Sequence, residues 1–130
     1  MRILKNWSGH IIFPENFEWK QLEKSFRGMM ELFFRETGEM EDEPDHREVI
    51  ILLNMQDIKN NRKPEGYNRE GKLRMIFPLQ RKEITILSQL PENYVRDVSE
   101  SMSKYLISKK IRHTLEFDQM KYTEFRKKRK

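Results

Sequence analysis

The run Val49-Ile50-Ile51-Leu52-Leu53, followed by Asn54-Met55, decides how many strands this chain is read to have. It is short, continuous and β-branched at its start. A strand buried from both sides loses the alternation of apolar and polar residues, so these features predict a central strand covered on both faces. Glu39-Met40-Glu41-Asp42-Glu43-Pro44-Asp45, a strongly acidic connection, ends three residues before it. Immediately after it, Asp57 to Gly71 is polar and holds Pro64, Gly66 and Gly71, which reads as a loop longer than most in a compact domain.

Outward from this centre the periodicities are clearer. Ile3 to Phe13 alternates, with Ile3, Trp7, Ile11 and Phe13 on one face, and predicts a strand ended by Pro14. Gly9 inside it suggests a bulge. After Asn16, a suitable N-cap, apolar residues recur at Trp19, Leu22, Phe26, Met29, Met30 and Phe33. Spacings of three and four predict one helix with a buried face, stopped at Gly38. Phe34 and Leu32 fall off that stripe and widen it.

Lys72 to Leu79 alternates again, and Pro78 implies that this strand ends early or lies at an edge. Gln80-Arg81-Lys82 makes a turn into a strand carrying Ile84, Ile86 and Leu90. Pro91 opens a second helix with the stripe Tyr94, Val95, Val98, Met102, Tyr105 and Leu106. Ile111, His113, Leu115 and Phe117 alternate as a last strand. Asp118 to Lys130 reads as a short helix or a frayed tail.

The predicted order is therefore β-α-β-β-β-α-β. It implies an α+β fold, a two-layer sandwich in which two helices cover one face of a mostly antiparallel five-stranded sheet. Residues 1–120 form one domain, and 121–130 form a basic C-terminal tail.

The chain has 130 residues, no cysteine and a formal charge of +5. Without cysteine there is no disulfide framework, no thiolate zinc site and no thiol nucleophile. No apolar run approaches the length of a membrane helix, and Met1 to Asn6 lacks the apolar core of a signal peptide. A cytoplasmic setting is expected. Lys121, Arg126, Lys127, Lys128, Arg129 and Lys130 stand against Glu124 alone in the last ten residues. The whole excess charge thus lies in the tail, and the rest of the chain is balanced.

Chemistry is harder to find. His10, His46 and His113 fall on three separate elements, and a lone strand histidine is usually a satisfied residue. There is no nucleophile elbow, no phosphate-binding glycine loop and no recognisable metal spacing. No catalytic residue, metal or cofactor is expected. The candidate binding residues are Glu39, Glu41, Asp42, Glu43 and Asp45, five carboxylates that could occupy a basic cleft on a partner. The plainer reading is a solvated loop. By elimination the expected function is a non-catalytic protein-binding module, such as a small cytoplasmic immunity protein that inhibits a bacterial toxin partner. The alternative is a nucleic-acid-binding accessory protein that grips phosphates through Arg126, Lys127, Lys128, Arg129 and Lys130. The plainer reading of that tail is a solubilising terminus. The sequence fixes no oligomeric state.

Overall fold

The computed structural model describes residues 5–69, 73–89 and 92–121. In order these form β1 (Lys5–Ile12), a 3-10 turn (Trp19–Leu22), α1 (Phe26–Thr37), α2 (Pro44–Lys59), β2 (Arg74–Ile76), β3 (Glu83–Ser88), α3 (Glu92–Ser108) and β4 (Thr114–Lys121). The fold is α+β, with one antiparallel sheet ordered β2-β3-β1-β4 and three helices.

Among the described residues the sheet has four strands rather than five. Val49 to Leu53 is not a strand but the middle of α2. Pro44 takes the first helical position, where its missing N–H costs nothing, and Asp45 follows in the first turn, where the helix dipole favours an acid. The acidic connection thus ends as a helix start. Apolar side chains then point both inward and outward, which erased the helical period from the pattern.

β1 lies between β3 and β4, antiparallel to both. Its register runs unbroken through Gly9, which pairs with Ile86 and Phe117, so there is no bulge. Glycine is needed there for another reason. A Cβ on Gly9 would lie 2.1 Å from Ser99 Oγ of α3, so the helix sits almost on the strand backbone. This fixes the faces. Trp7, Gly9 and Ile11 look toward α3, together with their partners Ile84, Ile86 and Leu115. Ser8, His10 and Ile12 look the other way, with Glu83, Thr85 and Leu87.

α3 packs on the sheet, α1 packs on α3, and α2 packs on α1 and on the 3-10 turn. The helix expected from Asn16 onward is broken. Glu18 is the N-cap residue of the 3-10 turn, and α1 begins only after Ser25. Trp19 and Leu22 are buried nonetheless, so the apolar stripe crosses the break. α1 ends as expected at Gly38, whose φ of 71° is left-handed and whose N–H bonds to the Phe34 carbonyl. β2 is one edge strand, extended by a bridge between Tyr67 and Met75. β4 begins at Thr114 and includes Asp118 to Lys121, so the start of the segment read as a short helix or a frayed tail is strand.

The core is aromatic at both ends. Phe13 stacks on Phe17 at 4.1 Å, and Trp19 meets both edge-on. Phe33 and Phe34 close on Tyr67 at 5.9 and 5.2 Å.

Candidate functional site

Two regions carry side chains placed against the usual pattern. One is the outward face of α2. Val49, Leu52 and Leu53 are 49%, 50% and 59% exposed. They recur at three- and four-residue spacing, opposite Ile51, Asn54 and Ile58, which are buried. The inward side is held firmly. Asn54 accepts from the Gly66 N–H at 2.7 Å and donates to the Ile50 and Gly66 carbonyls. Asn61 accepts from the Lys20 N–H at 3.0 Å and pins the end of α2 to the 3-10 turn. The exposed apolar side chains therefore belong to a well-anchored helix.

The five carboxylates chosen from sequence lie beside this face and do different things. Glu39 is structural. It accepts the Tyr67 hydroxyl at 2.9 Å and the Leu73 N–H at 3.3 Å, which ties the long loop to the end of α1. Burial, and then that hydrogen bond, push the Tyr67 phenol up to about 12. Glu43 is the N-cap residue of α2 and reaches His46 at 3.5 Å and Arg69 at 3.4 Å. Glu41, Asp42 and Asp45 are exposed and make no ion pair among the described residues. An open groove of about 470 Å³ runs between α1 and α2, with Phe34 and Ile51 in its wall and Glu41, Arg35, Arg47 and Glu48 around them. Arg27 holds Glu48 through two bonds, at 3.0 and 2.7 Å. That contact keeps the Glu48 carboxyl below its usual range.

The other region is the sheet face turned away from α3. Ser8 Oγ lies 2.7 Å from His10 Nε2, and His10 Nδ1 lies 2.6 Å from Glu83 Oε2. Thr85 Oγ1 donates to the same carboxylate oxygen at 2.6 Å. Burial pushes the Glu83 carboxyl up, but the bonds from His10 and Thr85 outweigh it and leave the group below its usual range. The order serine, histidine, carboxylate is that of a hydrolase relay. Its setting is different. Ser8 is 1% exposed and lies mid-strand between ladder partners on β3 and β4, where backbone N–H groups are committed to the sheet and build no oxyanion hole.

Comparison with protein-family models, with curated proteins and with solved structures gave no match.

The three histidines stay apart. His113 lies against Phe13 and α3, donating from Nδ1 to the Ile111 carbonyl at 2.8 Å, with Ser103 Oγ at 2.7 Å from Nε2. His10 is on the opposite side of the sheet. His46 is exposed on α2. Among the described residues no three His, Asp or Glu side chains converge on a metal position, and no helix is long and apolar enough to cross a membrane. Arg126, Lys127, Lys128, Arg129 and Lys130 lie outside the described residues.

The strand expected at Val49 to Leu53 would have buried residues that the structure places on the surface of α2, Val49, Leu52 and Leu53. The signal was Glu43-Pro44-Asp45, an acid-flanked proline of the kind that opens helices.

Proposed function

We propose that this chain is a non-catalytic protein-binding module whose contact surface is the outward face of α2 and the acidic segment leading into it. The observation that carries this reading is the row Val49, Leu52 and Leu53, each about half exposed on an anchored helix. Large apolar side chains grouped on one face, rimmed by charge, are the usual composition of a protein contact. Glu41, Asp42 and Asp45 extend the surface with negative charge, which selects a partner bearing cationic groups and speeds the encounter. The sheet, with α3 on it and α1 on α3, serves as the scaffold that presents α2. A small inhibitor of the immunity type, placing these carboxylates in the basic cleft of a bacterial toxin, is the specific form of the proposal. A cytoplasmic setting fits a chain without cysteine.

The test is capture of the native partner from the source organism by immobilised full-length chain, followed by affinity measurement with the purified partner. Leu52→Ser/Leu53→Ser and the charge reversal Glu41→Lys/Asp42→Lys are each expected to weaken that affinity at least tenfold, about 1.4 kcal/mol. Unchanged affinity in both variants contradicts the reading.

A further inference from the structure

The outward face of α2 has a symmetry of its own. Asp45 stands one heptad before Leu52, and Lys59 one heptad after it. Residues a heptad apart point nearly the same way on a helix, so Asp45, Leu52 and Lys59 share one line. Val49, Leu53 and Gln56 lie along one side of that line. The row reads acid, apolar centre, base, with Leu52 at its midpoint. Asp45 and Lys59 are both exposed, and neither forms an ion pair among the described residues.

We propose that this face takes a second copy of the chain, α2 against α2, antiparallel about a two-fold axis at Leu52. This rests on the reading of α2 as a contact surface and names its partner. The two-fold axis sets Leu52 of each copy against Leu52 of the other. It also sets Asp45 of each copy opposite Lys59 of the other, so the same ion pair forms twice. The antiparallel arrangement opposes the two helix dipoles favourably. A shallow crossing of about 20°, the angle for a heptad seam, keeps both charged ends in reach. A parallel pairing would put Asp45 on Asp45 and Lys59 on Lys59. The acidic residues Glu41 and Asp42 stay at the outer ends of the pair and remain open to a cationic partner. α2 has 16 residues and so is about 24 Å long. A contact of that length covers less than the ~800 Å² per partner of a standard interface, so the pair is weak and concentration-dependent.

The experiment is sedimentation velocity on the full-length chain from about 10 µM to about 1 mM, a range that spans weak association. Wild type is expected to move from monomer to dimer across it. Leu52→Asp is expected to remain monomeric throughout. Asp45→Lys alone and Lys59→Asp alone should each weaken dimerisation at least tenfold, and the double swap Asp45→Lys/Lys59→Asp should restore it. All three positions face solvent, and unchanged circular dichroism confirms the fold. A wild type that stays monomeric, a dimer indifferent to Leu52→Asp, or a double swap that fails to restore dimerisation overturns the inference. If wild type is monomeric while Leu52→Asp loses a captured foreign partner, α2 binds that protein, and only the self-association is wrong. If neither assembly nor capture responds to Leu52→Asp, both readings fall.

Discussion

The sheet face turned away from α3 and the outward face of α2 are inversions of each other. On the sheet, Ser8, Glu83 and Thr85 are polar and buried, at 1%, 4% and 3% exposure. On the helix, Val49, Leu52 and Leu53 are apolar and half exposed. The first inversion is resolved inside the molecule, because each polar group there has a partner within hydrogen-bond distance. The second has no internal resolution. Hydrogen bonds offset the burial of polar groups, whereas only another surface removes exposed apolar groups from water. The difference separates a feature that stabilises the fold from one that points to a contact.

Breaking the polar side should have the largest effect. Glu83→Ala leaves the partly buried His10 and the buried Thr85 without the carboxylate they bond, and each buried polar group so stranded costs about 1–3 kcal/mol. Urea denaturation of the variant should show the midpoint falling accordingly. A loss below about 1 kcal/mol would mean that the network is not structural.

The same contrast exists between neighbours within α2. Asn54 points inward and is 4% exposed, while Leu53 beside it points out. Asn54→Ala strands the Gly66 N–H and is expected to cost about 2 kcal/mol. Limited proteolysis should then cut the loop after α2 faster than in wild type.

Acid should act on the sheet network. The folded Glu83 carboxyl titrates below its ordinary 4.5, so its contribution to stability is present above pH 4.5 and is lost as pH falls through the folded value. Melting temperature followed from pH 7 to 3 should therefore drop less steeply in Glu83→Gln than in wild type. Equal slopes would show that the carboxylate is not the acid-sensitive group.

What the sequence revealed follows the same physical division. Elements whose polar and apolar residues separate onto two faces were legible: β1, the stripe through Met29, Met30 and Phe33, and the stripe of α3. α2 was not, because Ile51 and Ile58 point in while Val49, Leu52 and Leu53 point out, which cancels the period. Tertiary partners were illegible for a simpler reason. His10 and Glu83 are 73 residues apart, and only the register of β1 on β3 brings them together. Glu39 looked like its acidic neighbours, and nothing local marked it as the acceptor for Tyr67 and Leu73.

The smallest expected change in stability is also the most telling. Leu52→Ser/Leu53→Ser should melt within about 0.5 kcal/mol of wild type, since surface substitutions outside packed contacts rarely do more. The decisive measurement pairs that melt with a binding assay on the same preparation. Unchanged melting with binding to the partner lost, whether that partner is a second copy or another protein, is the predicted result. A lowered melting temperature with binding intact would contradict the account, since α2's outer residues would then be part of the core.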